Sequence, residues 1–232
     1  RARSLQNTTK MRNMIDLSKS LFPVATDGED FDKKEMLFVC GNGVIDLKKS
    51  EIIQGKPEHL LTMSSRVLYE KDAFSEDWEK FIDTIFDGDT SLINWIQRAI
   101  GYSMTGNTSE QKVFFCYGDG GNGKSRMMDV LSAVLGDYFA SAPSRFFRQE
   151  MFYNQINDPL FLLNKRMVFN AENISSAVLD IEIIKKISSP ETLTGRNMRE
   201  NPVSFMPQAK IWMTTNSLPK FNDESDAMSR RV

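Results

Sequence analysis

The chain contains 232 residues, of which 41% are hydrophobic and 26% are charged, and its formal net charge is −2. This composition suits a globular domain with a substantial core, and the small net charge excludes a basic field over the whole surface. A single histidine, His59, argues against His-based metal clusters and against a Ser-His-Asp hydrolase.

The first half of the chain predicts a polar segment followed by a small, mainly helical domain. Residues 1–35 are mostly polar and are interpreted as a linker that contains one amphipathic helix. In residues 36–106, two apolar runs flank Gly41-Asn42, whose residue types suit the positive φ angles of a tight turn, so we expect a β-hairpin. Ser75 and Asp89 each precede apolar residues at helical spacing and are expected to cap two helices. The residues expected in the core from these helices are Trp78, Phe81, Ile82 and Ile85, and Leu92, Ile93, Trp95, Ile96 and Ile100.

The most informative stretch is Gly118-Asp119-Gly120-Gly121-Asn122-Gly123-Lys124-Ser125, which fits the phosphate-binding pattern G-x-x-x-x-G-K-[ST] at every fixed position. The apolar run 113–117 predicts a buried strand before it, and apolar residues at helical spacing follow it. A loop between a strand and a helix N-terminus can hold an anion with unpaired backbone N–H groups. We expect Lys124 to contact the β- and γ-phosphates of a nucleotide, Ser125 to ligate Mg²⁺, and the residues from Gly118 to Arg126 to surround the phosphates.

Residues 107–232 alternate between predicted strands and helices, which is typical of an α/β fold with ligands at the carboxyl ends of its strands. Residues 166–172 and 210–215 are expected to form two further buried strands, with a helix at 178–187 between them. Residues 192–205 are rich in turn-forming and β-prone residues and predict a hairpin.

Two polar residues stand at the ends of these predicted strands. Glu172 closes the first, where a carboxylate can hold an attacking water and contribute to a Mg²⁺ site, so we expect it to be catalytic. Ala171 precedes it where an Asp is usual, so the further ligand beside Ser125 can be water, a phosphate or another residue. Asn216, at the tip of the other strand, can hydrogen-bond the water or the γ-phosphate and so sense that phosphate.

Basic residues in the last 50 positions suggest two further roles. Arg230 and Arg231 follow an acidic turn and can act as an arginine finger on a neighbouring subunit, or can equally be surface arginines. Residues 185–210 have a local basic excess, which suits the backbone of single-stranded DNA or, equally, a solvated face. That excess comprises Lys185, Lys186, Arg196, Arg199 and Lys210 against Glu191 and Glu200, and DNA contacts are expected at Lys186, Arg196 and Arg199.

The order of these residues resembles the superfamily 3 helicases, in particular the primase-helicases of phages, plasmids and large DNA viruses. The order consists of Gly-Asn-Gly-Lys-Ser at 121–125, Glu172, Arg196, Thr214-Thr215-Asn216-x-Leu218-Pro219 and Arg230-Arg231. Upstream, three motifs resemble the helical domain of poxvirus-type primase-helicases, so the resemblance extends over residues 36–232. These motifs are Asn42-Gly43-Val44-Ile45-Asp46-Leu47, Trp78-x-x-Phe81 and Gly101-Tyr102-Ser103-Met104-Thr105-Gly106.

The resemblance implies an AAA+-like P-loop NTPase core behind the small helical domain, assembled as a homo-oligomer, usually a hexamer, with ATP and Mg²⁺ between subunits. It implies an ATP-dependent DNA helicase that moves 3′-to-5′ on single-stranded DNA, with a primase domain in the same parent chain. By resemblance, Glu172 activates water, Asn216 is the sensor, Arg196 belongs to a DNA-facing hairpin, and either Arg230 or Arg231 is the finger. A small residue before the Glu, here Ala171, fits the looser pattern of this family.

Two other functions also fit a phosphate loop. An ATP-binding assembly or loader module would use it without unwinding DNA, and a small-molecule kinase would use it on a small acceptor. Two cysteines in apolar runs, Cys40 and Cys116, favour free thiols in a reducing compartment, and the apolar runs are shorter than a membrane span. We therefore expect a cytoplasmic location, in a bacterium or in an infected host cell.

Overall fold

A computed structural model describes residues 7–21, 30–143, 146–149, 158–171, 179–196, 201–216 and 230–232, and shows a mixed α/β architecture. The helices in these ranges are α1 (Thr8–Ser18), α2 (Glu76–Ile85), α3 (Thr90–Met104), α4 (Lys124–Leu135) and α5 (Ile181–Ser188). The strands are β1 (Leu37–Cys40), β2 (Gly43–Asp46), β3 (Glu51–Ile53), β4 (Val113–Tyr117), β5 (Phe139–Ser141), β6 (Met167–Asn170), β7 (Leu193–Gly195), β8 (Val203–Phe205) and β9 (Lys210–Thr215).

Helix α1 lies in solvent. Asn7 caps it by accepting a hydrogen bond from the backbone N–H of Thr9 at 3.0 Å, but none of its residues is buried. Its apolar side chains, from Met11 at 47% exposure to Leu17 at 67%, contact no core, as expected for a helix within a linker. Neither α1 nor any other helix in the described ranges combines the length and the apolar character that crossing a membrane requires.

Strands β1, β2 and β3 form an antiparallel sheet. The expected hairpin is confirmed, with Cys40 opposite Gly43, but the predicted reason for its turn is wrong because neither Gly41 nor Asn42 has a positive φ angle. Glycine is required at 41 because a Cβ there would lie 2.9 Å from the backbone oxygen of Arg66. The sequence does not predict β3, which is only three residues long and has two exposed residues.

Helices α2 and α3 begin where the sequence predicts. Ser75 and Asp89 cap them, each accepting a hydrogen bond from the backbone N–H three residues on. Ile82 is buried as expected. The predicted core positions of Trp95 and Leu92 are wrong, because these side chains are 51% and 41% exposed and line a cavity instead.

A parallel sheet with strand order β4-β9-β6-β5 forms the second half of the fold. Side chains of β9 alternate between its two faces: Ile211 and Met213 join one hydrophobic cluster, and Trp212 joins the other. Because both faces are covered, the central strands have continuous apolar sequences, which is why the sequence predicts them. The edge strand β5 is short and is not predicted.

Different parts of the chain cover the two faces of this sheet. One face packs against α4 and against residues 36–106, called the N-terminal unit below. This unit contributes Phe38, Ile45 and Ile96 to the same cluster. The other face packs against α5, through Ile184 and Ile187, and against the ribbon formed by β7 and β8. The N-terminal unit and α4 therefore share one core.

The segment between β6 and β9 largely follows its prediction. Strands β7 and β8 pair antiparallel, with Leu193 opposite Phe205, which confirms the hairpin pairing expected in residues 192–205. Helix α5 begins at Ile181 rather than at residue 178, because the Asp180 carboxylate caps it by accepting from the backbone N–H of Ile183 at 3.1 Å.

Buried Arg166 fastens the N-terminal unit to the amino end of β6. Arg166 is only 2% exposed. Its guanidinium donates hydrogen bonds to the carbonyls of Leu37 at 2.6 Å and Met104 at 2.7 Å. The guanidinium also lies 4.5 Å from the ring centroid of Tyr138. Burial lowers the pKa of Arg166, with opposing contributions from Tyr138 and nearby carboxylates.

Lys210 makes an equivalent connection at the amino end of β9. It is 2% exposed, and its ammonium donates to the carbonyls of Thr105, Gln208 (2.9 Å) and Asn107 (3.3 Å). The prediction that Lys210 belongs to a surface basic patch is therefore wrong, because the charge is used inside the protein.

Candidate functional site

The loop that follows β4 has a backbone that favours glycine. Gly118, Gly121 and Gly123 have φ angles of +147°, +81° and +82°, a region that L side chains rarely adopt. A Cβ on Gly123 would also lie 2.6 Å from Cγ2 of Ile85. The end of α2 thus packs directly on the loop, and the glycines are explained by both backbone conformation and packing.

Helix α4 begins without a side-chain cap. Its N-cap residue is Gly123, which has no side chain, whereas side chains cap the other four described helices. Those caps are Asn7, Ser75, Asp89 and Asp180. Unpaired backbone N–H groups and the positive end of the helix dipole make this N-terminus suited to an external anion.

Lys124 is hydrogen-bonded within the loop. Its ammonium donates to the carbonyls of Gly118 at 2.5 Å and Asp119 at 2.9 Å, and to Oδ1 of Asn122 at 2.7 Å. The positive charge is thereby held at the start of α4. Anionic oxygens placed there would be stronger acceptors than these neutral ones.

One cavity of about 320 Å³ joins the loop to the carboxyl ends of two parallel strands. Ala171 lines it directly after β6, and Asn216 lines it directly after β9. The structure therefore brings residues 120–126 of the predicted loop and Asn216 together, whereas Gly118 and Asp119 do not line the cavity. Glu172, next to Ala171, lies outside the described residues. The full lining consists of Gly120, Gly121, Asn122, Gly123, Lys124, Ser125, Arg126, Ala171, Thr214, Thr215 and Asn216.

A second, more apolar cavity of about 240 Å³ shares Asn122 and Lys124 with the first. Its walls include Trp95 and Tyr117, neither of which the sequence identifies as a site residue. Helical spacing could not single out Trp95, because the same spacing is typical of core residues. Burial raises the pKa of the Cys116 thiol on the wall to about 11, against the opposing charge of Lys124, so the thiol is neutral at physiological pH.

The terminal arginines lie at the opposite end of β4 from the loop. The backbone N–H of Val113, the first residue of β4, donates to the carbonyl of Arg231 at 2.7 Å. Gly118 follows the last residue of this five-residue strand, which spans about 13 Å. Neither Arg230 nor Arg231 lines the phosphate-loop cavity of its own chain.

The two arginines differ in exposure. Arg231 is 5% exposed, and its guanidinium donates to the hydroxyls of Ser188 at 3.1 Å and Ser189 at 2.9 Å. Arg230 is exposed, and its carbonyl accepts a hydrogen bond from Lys112 at 2.6 Å. Only the Arg230 side chain is thus presented at the surface.

Of the residues expected to contact DNA, Lys186 and Arg196 are exposed and Arg199 lies outside the described residues. The backbone N–H of Arg196 donates to the carboxylate of Asp158 at 2.8 Å. A Cβ on Gly195 would lie 2.6 Å from the same carboxylate, so the ribbon is packed closely at this point. Neither basic residue lines the phosphate-loop cavity.

Two protein-family models match the chain. The family described as "D5 N terminal like" matches residues 1–87, and the one described as "Family of unknown function (DUF5906)" matches residues 116–231, which is half of the chain.

The curated relatives described here come from viruses. The chain is 25% identical over 209 residues to "Putative helicase L207/L206" of Acanthamoeba polyphaga mimivirus, covering 88% of this chain and 22% of the relative. It is 27% identical over 208 residues to "Primase D5" of Fowlpox virus (strain NVSL), covering 82% of this chain and 26% of the relative. The chain therefore spans about a quarter of the length of these relatives.

Among solved structures, the chain is similar to "The A form apo structure of NrS-1 C terminal region-CTR". The TM-score is 0.53 at 17% identity, over 66% of this chain and 36% of that chain. This similarity concerns the fold alone.

Proposed function

Because this chain belongs to the D5-type primase-helicases, with its second half in the DUF5906 family, we propose that it is the ATPase motor of an ATP-dependent DNA helicase. The motor would act in the replication of a virus, phage or plasmid. The observation that carries the proposal is the cavity in which the glycine loop, the end of β6 and Asn216 meet.

In this proposal, residues 107–232 are an AAA+-like P-loop NTPase core behind the helical domain of residues 36–106, and residues 1–35 are a linker. The phosphates of ATP lie at the uncapped start of α4, where backbone N–H groups have no side-chain acceptor. Lys124 exchanges its bonds to loop oxygens for bonds to the β- and γ-phosphates, which are charged and therefore stronger acceptors.

The cavity also fits a Mg²⁺ ion bound mainly through phosphate oxygens and water. Mg²⁺ in phosphate-transfer sites usually takes only one or two protein ligands, and here Ser125, which has a hydroxyl, is among the residues that line the cavity. Glu172 would supply a carboxylate from the position after Ala171. When bound, the ion neutralises charge on the phosphates.

Glu172 and Asn216 are proposed to act on the water and the γ-phosphate. Glu172 would orient the attacking water, and the Asn216 amide would hydrogen-bond the water or the phosphate from the end of β9. Because β6 and β9 are adjacent in the parallel sheet, their carboxyl ends lie at the same edge. Asn216 directly follows β9, and in the sequence Glu172 comes two residues after the end of β6.

The arginine finger is proposed to be Arg230 of a neighbouring copy in a homo-oligomer, in keeping with a hexamer of the parent protein. Arg230 is exposed at the start of β4, whereas the phosphate loop of the same chain follows the end of β4. Its side chain is therefore too far away to contact phosphates bound at that loop and is available to a neighbouring copy. Arg231 is committed to Ser188 and Ser189 and is proposed to be structural.

Single-stranded DNA is proposed to contact Lys186 in α5, Arg196 directly after β7, and Arg199, which lies between β7 and β8 in the sequence. A basic hairpin can follow a phosphate backbone without reading its sequence. Replacing Arg196 by Ala should weaken DNA binding and make its salt dependence slightly shallower.

We further propose that the parent protein carries a primase domain and works in the cytoplasm of a bacterium or an infected cell.

The proposal is tested by ATP hydrolysis with and without single-stranded DNA. Wild-type turnover should rise with DNA, Lys124→Ala should abolish it, and Glu172→Gln should bind ATP without hydrolysing it. Turnover that is indifferent to DNA, or normal in Lys124→Ala, would contradict the proposal. An ATP-binding loader is distinguished by the absence of forked-duplex unwinding in the full-length protein.

A further inference from the structure

The apolar cavity beside the phosphate loop has no role in the function proposed so far. We propose that it binds the nucleobase of the nucleotide by stacking, an inference that rests on phosphate binding at the loop. Its position carries the inference: Asn122 and Lys124 line both cavities, so a ligand whose phosphates lie at the start of α4 has the apolar cavity directly beside it.

The size of the cavity suits a base. Its volume of about 240 Å³ lies below the roughly 300–1,000 Å³ typical of pockets for drug-sized ligands. The loop cavity, at about 320 Å³, is a separate space lined mainly by backbone and polar side chains. Phosphates and base would thus occupy two adjoining compartments of different chemistry.

The walls of the apolar cavity offer aromatic faces. Phe114 stacks on the fully buried Trp212 with ring centroids 4.4 Å apart, and Trp95 meets Phe114 edge-on at 6.0 Å. Trp95 is 51% exposed and Tyr117 is 56% exposed, so both side chains leave aromatic surface open where they line the cavity. A base inserted beside Trp95 would cover this exposed indole surface.

The polar groups of the cavity favour stacking over recognition of base edges. Lys124 is proposed to bind the phosphates, and the indole N–H of Trp212 already donates to Ser103 at 3.0 Å. The Cys116 thiol is a weak donor. Stacking on aromatic side chains tolerates any base, so ATP and GTP should bind with similar affinity.

The test compares MgATP with magnesium tripolyphosphate, which has the phosphates but no base, by isothermal titration calorimetry on this chain. Trp95→Leu should weaken ATP binding about fivefold to tenfold and leave tripolyphosphate binding unchanged. Trp95→Phe should restore most of the ATP affinity, because an aromatic face is retained. Wild-type affinities for ATP and GTP should agree within about threefold.

Phe74→Leu is the matched control, because Phe74 is a 77% exposed aromatic that lines neither cavity. It should change neither affinity, and unchanged melting temperatures would show that all variants fold. Equal wild-type affinities for ATP and tripolyphosphate, or equal effects of Trp95→Leu on both ligands, would overturn the base site. Failure of Lys124→Ala to weaken tripolyphosphate binding would instead overturn the phosphate site and the proposed function with it.

Discussion

The structure constrains Gly123 and Gly120 of the loop differently. The phosphate-binding pattern requires glycine at 123 but allows any residue at 120. Gly123 combines a φ angle of +82° with contact to α2, whereas a Cβ on Gly120 would meet nothing within 4 Å. The first is constrained by the fold itself. The second is constrained only by whatever approaches the loop from outside.

This difference gives a prediction for stability. Gly123→Ala should lower the free energy of unfolding by about 1–3 kcal/mol, because it places a side chain in a strained backbone region and 2.6 Å from Ile85. Gly120→Ala should change it by less than about 0.5 kcal/mol. Urea unfolding of both variants measures the effect, and equal losses would show that packing on α2 is not the constraint.

Lys210 predicts a pH dependence of stability. Its burial, together with Arg166, lowers its pKa well below the ordinary 10.5, against an opposing contribution from Glu35. Between the folded pKa and 10.5 the unfolded chain binds more protons than the folded chain, so the free energy of unfolding rises with pH in that window.

Lys210→Met removes this titration and also leaves three carbonyls without their donor. The variant should therefore be less stable than the wild type at about pH 7, and the difference should grow towards about pH 10. Urea unfolding of both proteins at the two pH values measures it. A difference that does not change with pH would show that the pKa of Lys210 is not lowered.

At the scale of elements, α1 and the segment that follows it contribute differently to the fold. No residue of α1 is buried, whereas Asp32 is 4% exposed. The Asp32 carboxylate accepts hydrogen bonds from the backbone N–H of Thr62 at 2.8 Å and the amide of Asn164 at 3.1 Å. It thereby ties three distant parts of the chain together.

Two truncations test this contrast. Removing residues 1–21 should change the free energy of unfolding by less than about 0.5 kcal/mol, because α1 has no buried contact. Removing residues 1–33 should lower it by at least about 1–3 kcal/mol, because the donors of Thr62 and Asn164 lose their acceptor. Thermal unfolding compares them, and a large loss from the shorter truncation would contradict the solvent-exposed position of α1.

At the scale of the whole molecule, the two terminal arginines should separate catalysis from stability. In the proposed oligomer of the parent protein, Arg230→Ala should leave the melting temperature unchanged and lower ATP turnover by about 10³-fold or more. Arg231→Ala should lower the melting temperature, because it removes the buried guanidinium that donates to the hydroxyls of Ser188 and Ser189.

Mixed oligomers show whether Arg230 acts across an interface. Mixing Arg230→Ala subunits with Lys124→Ala subunits should recover part of the activity, since some interfaces then join an intact loop to an intact arginine. A mixture as inactive as its components would place the role of Arg230 elsewhere.

The sequence by itself determined the local elements of this protein. The strand before the loop, the caps at Ser75 and Asp89 and the central strand β9 are confirmed, because periodicity, cap chemistry and glycine spacing act over a few residues. Asn216 at the cavity follows from the same reasoning, since parallel strands end at one edge of a sheet.

Only the tertiary structure decided which polar and aromatic side chains are available for function. Lys210 and Arg231 have the sequence character of surface cations, yet both are buried against groups far away in the chain. Trp95 has the spacing of a core residue and is half exposed beside the loop. The physical reason is that burial and hydrogen-bond partners depend on segments about 20 to 100 residues apart meeting in space, which no local pattern records.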